Sequence, residues 1–151
     1  MFSSIKTALK SIFEAEMSEG GRLSFLESVF TAQYGLIPGE SYPCLSISFQ
    51  SGDLSGNSPK VEFVGDFILS LEIITDDDME TAEETLEDYL WDEDGNGLIP
   101  VLLLNTGFTA GEQRYKLDMN PFELEQGIGS DNRYVIRARI PLTVTTWRTL
   151  S

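Results

Sequence analysis

Histidine is absent from this chain and cysteine occurs once, at Cys44. Without an imidazole or a second thiol, intrachain disulfides, Ser/His and Cys/His dyads and nearly all zinc chemistry are excluded. Positive charge is also scarce, with 10 Lys and Arg against 25 Asp and Glu and a formal net charge of −15. Nucleic-acid affinity comes largely from cations neutralising phosphates, so this balance argues against tight DNA binding by a monomer. It leaves open a protein that works beside DNA without adhering to it. Long apolar runs are missing as well. The longest, Leu98 to Leu104, contains Pro100 and falls far short of the roughly 20 residues that a membrane helix needs. Met1 to Glu16 carries Lys6 and Lys10 but no continuous apolar h-region, so neither a secretory signal nor a membrane contact is expected, and residence in a cytoplasm is.

What remains is the composition of one globular domain. The 151 residues are 41% hydrophobic, enough for a single core at a size where roughly 68–70% of the unfolded chain's surface can be buried. Cys44 follows Pro43 at the start of an alternating segment and admits two readings, a buried small hydrophobe or a reactive thiol.

Apolar spacing orders the rest. Phe2, Ile5, Ala8 or Leu9, Ile12 and Phe13 recur at helical intervals, predicting a first helix capped by Ser3 or Ser4 and ending near Glu16. Leu23, Leu26, Val29 and Phe30 suggest a second helix over Leu23 to Gln33, closed by Gly35 and Pro38-Gly39. Leu45, Ile47 and Phe49 alternate with polar residues as in a half-buried strand, and Ser51 to Pro59 has the composition of a loose hairpin connection. Val61 to Val64 and Phe67 to Ile74 read as one long strand with a bulge at Gly65-Asp66. Thr75, Asp76, Asp77 and Asp78 offer N-caps to a helix with Met79, Ala82, Leu86, Tyr89 and Leu90 on its apolar face. Leu98 to Leu104 is expected as a strand buried on both faces, returning to the same sheet over that helix. Gly107 and Gly111 bound a loop, Tyr115, Leu117 and Met119 alternate, Asn120 to Asn132 looks irregular, and Tyr134 to Trp147 is the clearest strand. The expected fold is therefore α+β: a single domain, 1–151, with a mixed, mostly antiparallel sheet and helices packed on one face.

Three constellations invite chemistry. Asp92, Asp94, Asn96 and Gly97 match the first half of an EF-hand loop, but the twelfth position is Leu103 instead of Glu and Pro100 opposes the exit helix, so an acidic turn is expected and no metal. Acidic residues crowd the region from Asp76 to Asp94. Acid–base catalysis requires one carboxyl with a raised pKa in a cleft and one kept ionised, and no such asymmetry is visible, so a solvated helix face is the plainer reading. Six of the ten cations lie from Arg114 onward. Lys116, Arg137 and Arg139 could share one side of the sheet and form a subunit interface, pairing head to tail with the acidic face of another copy; internal neutralisation is the equal alternative.

Taken together, several segments resemble the tail terminator (tail completion) proteins of long-tailed bacteriophages, the group that includes the lambda minor tail protein U. They are the helix Ile5-x-x-Ala8-Leu9-x-x-Ile12, the strand Pro43-Cys-Leu45-x-Ile47, the strand Phe67-Ile-Leu-Ser-Leu-Glu-Ile-Ile74, the acidic helix Glu80-Thr-Ala-Glu-Glu-Thr-Leu86, the strand start at Gly97-Leu98, and the closing strand ending Pro141-Leu-Thr-Val-Thr-Thr-Trp147. The resemblance spans nearly the whole chain in order of elements; the Pro-Gly-rich Leu36 to Tyr42 segment and Asn120 to Asn132 depart from it. It implies a non-enzymatic protein without cofactor that forms a homo-oligomeric ring, usually a hexamer, on the finished tail tube. Such a ring stops polymerisation of the tube protein and presents a surface to a head-completion or connector protein. It implies a place in the virion tail or neck, assembled in the host cytoplasm, with DNA sliding through the lumen unbound. Asp76, Asp77, Asp78, Glu80, Glu83, Glu84, Glu87 and Asp88 are then the candidate acidic lumen or neck surface, and Ser51 to Pro59 and Thr106 to Glu112 are segments that could order on the tube. A different neck role, head closure, differs only in partner. From other classes, an acidic inhibitor that mimics DNA and an enzyme using paired carboxylates remain alternatives.

Overall fold

The computed structural model describes residues 2–31, 41–56, 59–75, 79–128 and 134–149. The chain forms α1 (Phe2–Ala15), β1 (Ser28–Phe30), β2 (Cys44–Ser55), β3 (Lys60–Thr75), α2 (Met79–Leu90), α3 (Leu98–Leu104), β4 (Gly107–Ala110), β5 (Gln113–Met119), β6 (Glu123–Ile128) and β7 (Tyr134–Thr149). The strands join one sheet in the order β1-β2-β3-β7-β5-β4, with β6 also on β7. β1 runs parallel to β2, and all other pairs are antiparallel. β5 and β6 share one edge of β7, β5 lying opposite Leu142 to Thr146 and β6 opposite Tyr134 to Arg139.

The expected α+β layering, with helices packed on one face of the sheet, is overturned. Strands hold 50% of the structure and helices 26%, and the sheet curls into a mixed half-barrel. The cause is visible in the contacts of α1, which touches β1 and β2 near one end of the strand order and β4 at the other. Both ends of the sheet thus approach one helix. β3 and β7 are each 16 residues long and paired throughout, so strand twist accumulates over their length. A bulge adds curvature. It falls at Gln50 in β2, where the register steps from Phe49 opposite Phe67 to Ser51 opposite Asp66. The irregularity predicted at Gly65-Asp66 therefore sits in the partner strand. Asp66 holds it there by accepting from Ser51 Oγ and Thr143 Oγ1, both at 3.2 Å.

The concave side holds one core. Ile5, Leu9 and Phe13 of α1, Ala82, Leu86 and Leu90 of α2, and Leu98 and Val101 of α3 meet Leu45, Ile47, Phe67, Leu69, Leu71, Ile136, Ala138, Ile140, Leu142 and Val144 from the sheet. Ile5, Leu9 and Phe13 of α1 and the apolar faces expected for α2 and β7 turn to the core, except that Tyr134 points to solvent at the strand's start; the Phe2 side chain lies outside the described residues.

Six local expectations change. Leu23 to Gln33 is no helix: Leu23 and Leu26 are buried in a turn and Val29 in β1, while 32–33 and the closing residues Gly35 and Pro38-Gly39 lie outside the described residues. Leu98 to Leu104 is α3 instead of a returning strand, because Pro100 falls in a helix's first turn, where its missing N–H has no partner to lose. Ser51 to Ser55 extends β2, and Asn120 to Asn132 contains β6. Gly107 and Gly111 frame β4 and its turn into β5, and α1 already includes Ser3 and Ser4.

Candidate functional site

α2 presents the first surface. Its apolar residues Ala82, Leu86 and Leu90 face the core, leaving Glu80, Glu83, Glu84, Glu87 and Asp88 exposed on the far side. Glu80, Glu84 and Glu87 follow helical spacing into Trp91, which is 54% exposed and whose backbone N–H donates to Glu87 O at 2.9 Å. No ion pair among the described residues involves Glu83, Glu84, Glu87 or Asp88. Asp76, Asp77 and Asp78 lie outside the described residues. After α2 the Asp92 carboxylate accepts from the N–H groups of Asp94 and Asn96 at 2.9 and 2.8 Å. The half EF-hand is thus a turn closed on its own backbone, joining two helices.

The convex face of the sheet carries the cations. Register places Cys44, Glu72, Arg137 and Glu125 in one row across β2, β3, β7 and β6. Arg137 Nε lies 3.5 Å from Glu72 Oε1, Arg139 Nε 3.4 Å from Glu125 Oε1, and Lys116 Nζ 3.7 Å from Asp118 Oδ2. Each of the three proposed interface cations therefore faces a carboxylate of its own chain. Arg137 Nε and Glu125 Oε1 complete no hydrogen bond among the described residues, so at these two atoms the attraction is Coulombic rather than directional.

Glu72 is the residue that charge counting missed. It is 3% exposed, and its only sequence signal is a carboxylate inside the otherwise apolar Phe67 to Ile74 strand. Burial pushes its carboxyl above the ordinary range, Arg137 pulls it back and Glu125 adds to the rise. Folded Glu72 thus holds its proton more firmly than unfolded Glu72. Its contribution to stability is fullest below the unfolded pKa and is lost as pH rises through the folded one. Glu72→Gln should therefore gain stability relative to the natural protein as pH rises from about 4 to about 8. Urea unfolding across that range checks it, and a difference that is flat or shrinks with pH would contradict the assignment. In the same row Cys44 is buried, and burial first, then the Glu72 charge, push its thiol up to about 12 against the opposing pull of Arg137. That leaves it a small hydrophobe rather than a nucleophile.

β6 forms a third surface. It pairs with β7 alone among the described residues. On the face opposite Glu123 and Glu125 it carries Leu124 and Ile128, 42% and 69% exposed, with Phe122 and Tyr134 exposed beside them. Composition marks this segment only as irregular.

At the far end of the sheet the convex face carries two cations, with Asp118 beside Lys116. Lys116 lies opposite Gly107 and Thr145, and Arg114 opposite Thr109. With Trp147, 44% exposed, they line an open depression of about 420 Å³. Trp147 Nε1 donates to Glu62 Oε2 at 2.8 Å, which fixes the indole against β3. Arg114 enters no ion pair among the described residues. A wider depression of about 830 Å³ between α1 and the β4–β5 turn is lined by Ser3, Thr7, Ser11 and Thr109 with small apolar neighbours and contains no titratable side chain. No family model matches this sequence, and no curated protein matches it either.

Proposed function

We propose that this chain is a structural assembly protein of a long-tailed phage, a tail terminator that forms a ring on the tail tube, ends tube polymerisation and offers a surface for head joining. The observation that carries this reading is β6, an edge strand with Leu124, Ile128 and Phe122 exposed along it. Monomeric proteins blunt such edges with charge, proline or cover, since an apolar edge recruits another chain. A protein that works only in an assembly has a partner for that edge. The resemblance in element order names the assembly, and the charge of −15 suits a ring through which DNA slides, because a lumen poor in cations releases no counterions on contact with phosphates. Virion tail or neck is the corresponding location, after assembly in the host cytoplasm.

The test is to add purified protein to polymerising tail tube protein of the cognate phage and follow growth by light scattering. Growth should stop once the protein is present in ring-forming amounts. Unaltered growth would count against the reading. The acidic DNA mimic has one observation in its favour, the exposed carboxylate face of α2. It would be supported by DNA-competitive capture of a nucleic-acid-binding protein together with a stable monomer.

A further inference from the structure

The apolar faces of α2 and of the strands meet in one core, so the acidic face of α2 and the depression lined by Arg114, Lys116 and Trp147 both face away from it and share no lining residue. One copy cannot bring them together. Two copies can. We infer that the Arg114, Lys116 and Trp147 depression is the socket of a head-to-tail contact between copies, and that its occupant is the neighbour's α2 stripe of Glu80, Glu84 and Glu87 ending in Trp91.

Two of the chain's 10 cations, Arg114 and Lys116, stand at the socket and complement a carboxylate stripe, while the socket's own acids are engaged inside the chain, Glu62 by the Trp147 indole and Asp118 beside Lys116. Arg114 has no ion pair of its own among the described residues, and Lys116 meets only the exposed Asp118 at 3.7 Å, a contact that water weakens. Glu84 and Glu87 are likewise outside the ion pairs described for this chain. Each side also offers an indole, Trp147 in the socket and Trp91 at the end of the stripe, both about half exposed. Trp and Arg are the side chains on which interfaces most depend, because they bury large area beside a polar group. Donor and acceptor surfaces differ, so the contact is heterologous, and repeating it generates a closed ring or an open helix according to the rotation between copies. It places α2 at the seam between copies rather than in the lumen. Arg137 and Arg139, held by Glu72 and Glu125, take no part.

This contact rests on the ring proposed above, and the experiment separates the two. Sedimentation velocity is run on the natural protein, on Arg114→Glu/Lys116→Glu, on Glu84→Lys/Glu87→Lys, and on the chain carrying all four changes, with circular dichroism as a check on folding. The natural protein should form a ring that loosens between about 0.05 and 0.5 M salt, as screening shortens the reach of the charges. Each double variant should assemble at least about ten-fold more weakly, since it sets like charges face to face. The four-fold variant should recover assembly, because its charges are exchanged rather than removed. A natural protein that stays monomeric with and without tube overturns both the ring and the contact. Rings that persist in both double variants overturn the contact alone, as does an α2 variant that forms normal rings but blocks DNA passage, which would return α2 to the lumen. If all variants fold and the four-fold variant fails to recover, the pairing is also wrong.

Discussion

Phe67→Ala should cost about 3–5 kcal/mol of unfolding free energy, the range for deleting a buried aromatic ring whose site cannot collapse. Phe67 is fully buried in the middle of β3. It lies opposite Phe49 on one side and Leu142 on the other. Its ring meets Phe49 edge to face, with centroids 5.4 Å apart at 63°, an arrangement worth about 0.5–1.5 kcal/mol beyond area burial. Gly65 makes room for it, since a Cβ there would stand 2.9 Å from Phe67 Cε2 and 3.0 Å from Phe63 Cε1. β2 and β7 hold β3 from both sides by long antiparallel ladders, so neither can move in to fill the void. Against a total stability of about 5–15 kcal/mol, the loss is large. Urea unfolding followed by tryptophan fluorescence measures it. A cost below about 1 kcal/mol would mean that the strands do relax inward.

The second large effect comes from the junction of α2 and α3. Gly97 takes φ 116° at the N-cap of α3, and its N–H donates to Arg22 O at 3.0 Å. A Cβ there would stand 2.6 Å from Leu90 O, 2.7 Å from Leu90 C and 2.9 Å from Tyr89 O. These are backbone atoms at the end of a helix and cannot rotate aside. Gly97→Ala therefore adds a steric clash to a dihedral strain of about 1–3 kcal/mol, for a combined loss of roughly 3 kcal/mol or more. The turn at Phe25, whose ring stacks on Tyr89 with centroids 4.0 Å apart, should loosen with it. Gly95 supplies the control. It has φ 79°, and a Cβ there would meet nothing within 4 Å, so Gly95→Ala should cost only the left-handed penalty of about 1–2 kcal/mol. Equal losses in the two variants, by thermal or urea unfolding, would contradict the close approach at Gly97.

Period-two patterns survive into the structure wherever one face of a strand meets the core. Leu45-x-Ile47, Tyr115-x-Leu117 and Ile136 to Val144 are all legible for that reason. Patterns without a clean period are not. Leu98 to Leu104 is apolar at every position, and such a run fits a buried strand or a buried helix equally well. Leu23, Leu26 and Val29 do enter the core, but as a turn and a short strand whose burial mimics helical spacing. β6 is hidden because its alternation places Leu124 and Ile128 where this chain has no core to cover them. The curl of the sheet depends on pairing between distant strands and on a bulge at Gln50, neither of which leaves a local mark. Charge behaves similarly. The acidic face of α2 follows from its helical spacing, whereas the partners of Arg137 and Arg139 follow from register alone. Arg114 and Lys116 beside Trp147 are visible as residues and invisible as a cluster.

The most direct test of the proposed role is electron microscopy of tail tubes assembled with and without this protein. With it, tubes should end in an added ring of identical copies at one end only, and elongation should not resume when fresh tube protein is supplied. Tubes with bare ends that continue to grow, under conditions where the protein is folded and in excess, would contradict the account.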